Sequence, residues 1–268
     1  MKHGSLLFIM SCIVATAAVA QQKADIKVHY IQDYNGMRGG RHQNSWVLIA
    51  NPVESKFYNP QAERIDSMCS SADGKKKYDT MMFQAISTNG QTPTKPTNLY
   101  VFTSSEQSNV AVYDKAVEDF YFYEEPLDEM TWEISDSTRK ELDYDCLMAT
   151  SDYHGRKWTA WFTPDIPISA GPWKFRGVPG LILEVYDADG DYRFVADAIE
   201  KADIRIYPIY SEKQYSREDR KEMLRVKRRF VENPLAHLEA QFGKMEQIDG
   251  DGIQNIQDGW DYLETDYR

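Results

Sequence analysis

An excess of 42 acidic over 31 basic residues gives this chain of 268 residues a formal net charge of −11 at pH 7. An acidic surface disfavours nucleic acid as the main partner, and no stretch beyond the N-terminus approaches the roughly 18 consecutive apolar residues of a membrane-spanning helix. The 13% of aromatic residues favours a β-rich core, and the chain is long enough to fold without a covalent staple.

The first twenty residues have the three parts of a secretory signal peptide. Lys2 supplies the positive charge, residues 6–15 form the apolar run, and Ala18-Val19-Ala20 matches the small-x-small cleavage pattern. We therefore expect export to the periplasm or cell surface after cleavage near Ala20. Lipoprotein processing at Cys12 is the less favoured alternative, because that cysteine lies inside the apolar run.

Short segments of alternating polar and apolar residues recur along the rest of the chain, a pattern typical of antiparallel sheet. Turn residues predict one hairpin across His154-Gly155 and another across residues 188–190. We expect a single β-rich α+β domain over residues 21–247, followed by a loosely ordered acidic tail over residues 248–268. The predicted strands are residues 25–33, 45–50, 78–86, 98–103, 110–112, 120–123, 132–135, 144–150, 156–162, 181–187, 191–198 and 204–210.

One helix is clearly indicated near the C-terminal end. Ser216 and Asp219 are spaced as a capping box, and Met223, Val226 and Phe230 recur at helical spacing. A proline after residue 233 ends this helix and can open a shorter one. We expect one or two C-terminal helices packed on the sheet through these apolar side chains.

Charge is unevenly distributed along the chain. Residues 114–145 hold twelve acids and three bases, whereas Arg217, Lys221, Arg225 and Arg228 or Arg229 share one face of the predicted helix. The simplest interpretation is a solvated face with bases near the helix end. A patch for anionic lipid or for an acidic partner, and docking on the acidic segment of the same chain, are the alternatives.

No sequence motif for catalysis is present. The histidines that follow the signal peptide, His29, His42, His154 and His237, have no zinc-type spacing, and no Gly-x-Ser-x-Gly segment occurs. We expect no catalytic residue and no cofactor. A secreted hydrolase using one of these histidines with a carboxylate is the alternative, since such sites are recognised by geometry.

Asp187, Asp189 and Asp191 flank Gly190 and offer three carboxylates at short spacing. Ala198 occupies the twelfth position, where an EF-hand loop requires glutamate. Aspartate and glycine are also the residues of a tight turn, so we expect a hairpin and no metal. A calcium-dependent binding module is the alternative.

Cys69 and Cys146 are the two cysteines beyond the signal peptide. In an oxidising compartment they can form one disulfide. The alternative is that both are buried free thiols. The sequence leaves both possibilities open.

Residues 163–182, TPDIPISAGPWKFRGVPGLI, combine four prolines and three glycines with many apolar side chains. This composition predicts a rigid crossing between two hairpins, because proline fixes φ and glycine permits positive φ. The crossing is a core plug if its rings point inward, and a binding edge if they are exposed. Its candidate ligand-binding residues are Trp173, Phe175, Arg176, Gly177, Pro179 and Gly180.

Several short motifs recur in a fixed order around this crossing. They are Trp132-Glu133-Ile134, Tyr144-Asp145-Cys146, Ala149-Thr150, Gly155-Arg156-x-Trp158-x-Ala160-Trp161, Ile166-Pro167, Gly171-Pro172, Phe175 and Gly177-Val178-Pro179-Gly180-Leu181-Ile182. Together they resemble the GLPGLI family of exported Gram-negative envelope proteins. The resemblance covers residues 131–187, with Val178 where the name-giving motif has leucine and Asp143 where a glycine is expected.

The resemblance implies export and a β-rich fold, and it supplies no catalytic residue, because the function of that family is unknown. The predicted organisation is also similar to the curved sheets of periplasmic lipoprotein carriers, open or partly closed around an apolar cavity. We expect a non-catalytic binding or scaffolding protein of the cell envelope, with an envelope protein or an apolar ligand as its partner.

Overall fold

The computed structural model describes residues 22–36, 40–88, 90, 92–116, 119–207, 209–210, 214–243 and 263–267. The predicted signal peptide with Cys12, and most of the predicted tail, lie outside these residues.

Twelve strands and four α-helices make up the described chain. The strands are β1 Lys23–Asn35, β2 Arg41–Ala50, β3 Glu54–Tyr58, β4 Tyr100–Ser104, β5 Asn109–Ala116, β6 Asp119–Pro126, β7 Glu133–Glu141, β8 Tyr144–Tyr153, β9 Arg156–Thr163, β10 Leu181–Asp187, β11 Tyr192–Arg205 and β12 Ser216–Arg217. The helices are α1 Pro60–Cys69, α2 Ala72–Ser87, α3 Arg220–Glu232 and α4 Pro234–Phe242.

All twelve strands belong to one curved sheet in the order β12-β6-β5-β4-β3-β2-β1-β11-β10-β9-β8-β7. Strands β1 to β6 form one antiparallel meander and β7 to β11 form another, and the two meet where β1 pairs with β11. The two-residue strand β12 adds to β6 in parallel. The predicted fold class, a β-rich curved antiparallel sheet with C-terminal helices, is confirmed.

Alternation along β2 shows why the sheet has two apolar faces. Trp46 and Leu48 join the larger core cluster, whereas Val47 and Ile49 join a smaller cluster on the opposite side. Side chains in a strand point alternately to the two faces, so continuous apolar character means that both faces are covered. We call the face of Trp46 the inner face.

Helix α1 covers part of the opposite face. Asn59 caps it by accepting hydrogen bonds from the backbone of Gln61 and Ala62, and Pro60 occupies its first position. The buried Lys56 ammonium lies 2.8 Å from Glu63 on this helix, so the charge is compensated where β3 and α1 meet.

Several local predictions were wrong. Residues 78–86 are helical and belong to α2, and 204–210 is not a separate strand, because β11 ends at Arg205. Ser216 lies in β12, and Asp219 caps α3 instead by accepting from the backbone N–H of Glu222. Strand β3 and helix α1 were not anticipated.

Two C-terminal helices are present, as predicted. Met223 and Phe230 are buried and Val226 is half-buried. Met223 packs into the inner core, while the Phe230 ring contacts that of His237 on α4. Among the described residues, none of the helices has the length and apolar character needed to cross a bilayer.

Candidate functional site

The crossing between β9 and β10 is a core plug on the inner face. The Trp173 and Phe175 side chains are both buried. The ring centroid of Phe175 lies 4.6 Å from that of Trp158 and 5.1 Å from that of Trp173. The start of β10 is held to the crossing by a bond from the Ile182 backbone N–H to the carbonyl of Ala170, at 2.9 Å. The interior placement therefore favours the plug over an exposed binding edge.

The candidate ligand-binding residues of the crossing do not converge on one surface. Trp173 lines a cavity, whereas Gly177 and Pro179 are exposed elsewhere. The carbonyl of Arg176 accepts a 2.6 Å hydrogen bond from the indole of Trp132. Gly180 has a packing role, because a Cβ there would lie 2.1 Å from the carbonyl oxygen of Thr163.

Six ionisable residues form what we call the buried charge cluster: Glu125, His154, Lys174, Arg220, Glu264 and Asp266. The Lys174 ammonium is fully buried and lies 2.6 Å from Glu125 and 2.8 Å from Glu264. It also lies over the rings of Tyr123, Tyr153 and Trp173. A buried ammonium is tolerable only with such partners, since desolvating an unpaired charge is costly.

Arg220 links the cluster to α3. Its guanidinium pairs with Glu264, reaches Asp266 at 2.5 Å and lies 3.2 Å from Glu125. The Nε2 atom of His154 lies 2.7 Å from Oε1 of Glu125, the oxygen that Arg220 also approaches, whereas Lys174 contacts Oε2. Three acids thus face three basic side chains.

The C-terminal segment, residues 263–267, supplies two of the three acids. The backbone N–H of Thr265 donates to the carbonyl of His154 at 2.9 Å, and its hydroxyl donates to that of Gly155 at 3.1 Å. Leu263 and Tyr267 are buried. This part of the tail, predicted to be loosely ordered, is packed against the hairpin turn between β8 and β9.

The cluster strongly favours the ionised form of two carboxyl groups, those of Glu125 and Asp266. Burial would raise the pKa of Glu125, but the neighbouring His154 and Lys174 lower it to about 2. Hydrogen bonds from Arg220 likewise lower the pKa of Asp266 to about 2. Burial and the nearby Glu264 and Glu125 carboxylates raise the pKa of Tyr123 far above its usual value, so this phenol stays neutral.

A cavity of about 320 Å³ lies next to the cluster, between α3 and the inner face of the sheet. Trp46, Val112 and Tyr123 contribute from the strands, and Trp173 from the crossing. Its other walls are Met223, Leu224 and Lys227 of α3, Leu263 and Glu264 of the C-terminal segment, residues 96–99, Asn44, Asp114 and Lys115.

The contact between His154 and Glu125 meets one requirement of the alternative hydrolase, a histidine within reach of a carboxylate. The His154 side chain is 4% exposed, however, and it does not line the cavity. Lys174 and Arg220 already occupy the space between the carboxylates. The arrangement is therefore that of an internal ion-pair network, not of a general base presented to a substrate.

Two groups of potential metal ligands overlap the buried charge cluster, Glu125 with His154 and the exposed Glu129, and His154 with Glu264 and Asp266. The ammonium of Lys174 and the guanidinium of Arg220 compensate Glu125, Glu264 and Asp266 and would repel a cation. These residues are a poor fit for a metal ion.

Two of the three aspartates at the β10–β11 turn have a cationic partner, Arg156. The Arg156 guanidinium lies 2.6 Å from Asp187 and 3.1 Å from Asp191, and it stacks on Tyr192. Burial would raise the pKa of Asp191, but hydrogen bonds from Asn35 and Arg156 lower it. Arg156 therefore serves as the counter-ion of Asp187 and Asp191.

The bases of the predicted basic face have different partners. Arg217 lies in β12, 2.8 Å from Glu124 of the acidic segment, residues 114–145. Within α3, Arg225 and Arg229 pair with Glu222, and Arg228 pairs with Glu232.

Two other bases join α3 to the acidic segment. Lys227 pairs with Asp114, and Arg220 lies 3.2 Å from Glu125. Docking on the acidic segment of the same chain therefore involves Arg217 of the predicted face, whereas acids of α3 itself pair with three of its other bases.

Both cysteines are free thiols in this structure. Cys69 lies half-buried at the end of α1, and Cys146 lies buried in β8. Burial raises the pKa of Cys146 to about 11, so its thiol is inert at neutral pH.

Comparison with known proteins gives one short family match. Residues 153–184 match a family model described as a protein of unknown function, Porph_ging, and no curated protein matches the chain. The matched residues run from the turn that holds the C-terminal segment, through β9 and the crossing, into β10.

Two solved crystal forms of PNGF-II are similar in fold, each with a TM-score of 0.50, 14% identity and 77% of this chain covered. This chain spans only 33% of PNGF-II, and the likeness concerns the fold alone. The LolA superfamily protein NE2245 from Nitrosomonas europaea matches with a TM-score of 0.26 and 9% identity, over 70% of this chain and 88% of its own. The stretch that forms the plug is thus similar to a family of unknown function.

Proposed function

We propose that this protein is an exported, non-catalytic binding protein of the cell envelope and a member of the GLPGLI family. Its ligand would be a small molecule with both apolar and polar groups, bound in the cavity beneath α3. The motifs around the crossing and the signal-peptide pattern at residues 1–20 support the family and the export.

The cavity is the observation that carries this proposal. Its volume of about 320 Å³ is at the lower end of the range of about 300–1,000 Å³ for small-molecule sites. Two indole rings, of Trp46 and Trp173, offer flat apolar surface, while the ion pair of Asp114 with Lys227 offers polar contacts. Such a mixture suits an amphiphilic ligand better than a purely apolar one.

Filling the cavity tests the proposal. Leu224 lies half-buried on α3 and lines the cavity, so Leu224→Trp should reduce its volume without opening the core. The probe is anilinonaphthalene sulfonate, which combines fused rings with an anionic group. We expect saturable binding of one probe per chain, weakened about tenfold or more in Leu224→Trp because the indole competes for the same space.

Two variants serve as controls. Ile204→Trp adds the same side chain at an exposed position of β11, and it should bind the probe like the unaltered protein. Phe83→Ser removes an exposed ring of α2, which excludes binding to that surface. Binding that survives Leu224→Trp but is abolished by Phe83→Ser would contradict a ligand site in the cavity.

A further inference from the structure

The cavity beneath α3 contains two side-chain amides without hydrogen-bond partners. Asn44 and Asn98 both line it, and both are half-buried. Within the part of the chain that the structure describes, neither amide makes a side-chain hydrogen bond. An amide both donates and accepts hydrogen bonds, so these two side chains can bind ligand groups that do the same.

The indole of Trp173 adds a third polar group of this kind. Trp173 lines the cavity and is 4% exposed, yet its N–H has no acceptor among the described residues. The N–H of Trp46, the other tryptophan of the lining, donates to Gln32 at 2.7 Å. A buried indole N–H ordinarily has an acceptor, and an oxygen atom of a bound ligand would supply one. Trp173 also has a φ of +50°, a strained conformation for a bulky residue, and such strain is concentrated at functional sites.

The register of the sheet separates a polar end of the cavity from an apolar one. Strands β2 and β4 run in the same direction, because each pairs antiparallel with β3. Asn44 near the start of β2 and Asn98 just before β4 therefore lie at the same end. Val112 and Tyr123 belong to a row of paired residues that passes through Leu48, about 13 Å farther along β2 than Asn44. A ligand with its polar group at the two amides would place its apolar part towards this row.

The lining of the cavity carries no net charge. Its acids and bases are equal in number, Asp114 and Glu264 against Lys115 and Lys227. Lys227 pairs with Asp114, and Glu264 pairs with Lys174 of the buried charge cluster. A charged head group would lose its hydration in the cavity without gaining a net counter-charge, whereas hydroxyl groups avoid that cost.

We propose that the ligand of the cavity is an uncharged amphiphile with a hydroxyl-rich head group, such as an alkyl or aryl glycoside. Hydroxyl groups both donate and accept, so several of them together satisfy the amides of Asn44 and Asn98. An oxygen of the same ligand accepts from the indole N–H of Trp173, and its apolar part lies towards Val112. This inference rests on the proposed function, because it names the ligand class of the same cavity.

Amphiphiles with one alkyl chain and different head groups test the inference. Octyl glucoside, octyl sulfate and octyltrimethylammonium share the chain and differ in the charge of the head group. Each is titrated into the full chain below its critical micelle concentration, and binding is measured by calorimetry. We expect octyl glucoside to bind at least about tenfold more tightly than either charged amphiphile, because only its head group finds partners without a desolvated charge.

The double variant Asn44→Leu/Asn98→Leu removes both amides at nearly constant side-chain volume. It should bind octyl glucoside about tenfold more weakly, because the hydroxyl groups lose two partners, and should bind octyl sulfate like the unaltered protein. Its melting temperature should not fall, since neither amide is hydrogen-bonded elsewhere in the described chain. The matched control, Gln84→Leu/Gln107→Leu, removes two exposed amides outside the cavity and should leave the binding of octyl glucoside unchanged.

The results separate this inference from the proposed function. If anilinonaphthalene sulfonate binds in the cavity but octyl glucoside binds no more tightly than octyl sulfate, the proposed function stands and the inference is wrong. Unchanged binding of octyl glucoside by the asparagine variant, or an equal loss in the glutamine control, would also overturn the inference. If neither the fluorescent probe nor octyl glucoside binds, both proposals are wrong.

Discussion

Gly155 and Thr265 lie so close that a Cβ atom on Gly155 would be 2.3 Å from the Oγ1 of Thr265. The two residues are 110 positions apart in the chain. Gly155 also has a φ of +86°, a conformation that favours glycine. Glycine is therefore needed at this position for two reasons, the geometry of the hairpin turn and the close approach of the C-terminal segment.

Gly155→Ala should therefore destabilise the protein more than a change of turn geometry alone. Gly190→Ala is the matched control, because Gly190 has a φ of +73° in the next hairpin but has open space where the Cβ would lie. We expect the control to lower the free energy of unfolding by about 1–2 kcal/mol through the left-handed backbone. Gly155→Ala should exceed that value by at least about 1 kcal/mol in urea denaturation, because the C-terminal segment must shift. Equal losses would mean that the segment is not held at this turn.

Removing the ammonium of Lys174 should be strongly destabilising. Lys174→Ala leaves the Glu125 and Glu264 carboxylates buried without their common partner, and we expect a loss of about 3–5 kcal/mol in the free energy of unfolding. Lys157→Ala removes an exposed lysine paired with the exposed Asp152, and about 1 kcal/mol or less should be lost. Similar values for the two variants would argue against a buried network.

The same cluster predicts a loss of stability in acid. The pKa of Glu125 is about 2 in the folded protein, against an ordinary value of 4.5, so its contribution is complete above pH 4.5 and disappears as the pH falls towards 2. A difference of this size corresponds to about 3 kcal/mol. Urea denaturation at several pH values between 5 and 2 should show this decline. Glu125→Gln should be less stable at neutral pH, with a shallower decline, and an unchanged slope would contradict the assignment.

Calcium should not stabilise the unaltered protein. Arg156 already compensates Asp187 and Asp191, and the Asp187 side chain is fully buried. Melting temperatures with calcium and with a chelator should agree, since a specifically bound ion must raise stability. Arg156→Gln should lower the melting temperature whether or not calcium is present, because it leaves Asp187 buried and unpaired. A rise of the unaltered protein's melting temperature with calcium would restore the metal-site alternative.

Most strands could be predicted because alternation is a local property of the sequence. Residues 78–86 were predicted as a strand because a short apolar segment does not distinguish a strand from a helix. In the structure, Tyr78, Met82 and Ala85 recur at helical spacing and are the half-buried residues of this segment. Helix α1 did have a signal, since Asn59 followed by Pro60 combines an N-cap with proline at the first position.

The charge cluster could not be predicted from the sequence. Its members come from β6, a hairpin turn, the crossing, α3 and the C-terminal segment, and no local spacing relates Glu125 to Glu264 or Lys174 to Arg220. One partial signal existed, a lysine between Trp173 and Phe175 in an otherwise apolar stretch, because a lysine that is buried there requires acidic partners. The composition of residues 163–182 predicted a rigid crossing and left open whether it is a core plug or a binding edge. The acidic partners of Lys174 depend on how the sheet curves around the crossing.

The pairing of β1 with β11, which joins the two meanders, determines when the cavity forms during folding. Within each meander, neighbouring strands follow one another in the chain, so their pairing closes short loops, whereas His29 opposite Ala198 closes a very long one. Trp46, Val112 and Tyr123 belong to the first meander, and Trp173 is carried by the second. The cavity therefore comes into existence only when the two half-sheets associate. Slow refolding and the gain of ligand binding should appear as one kinetic event.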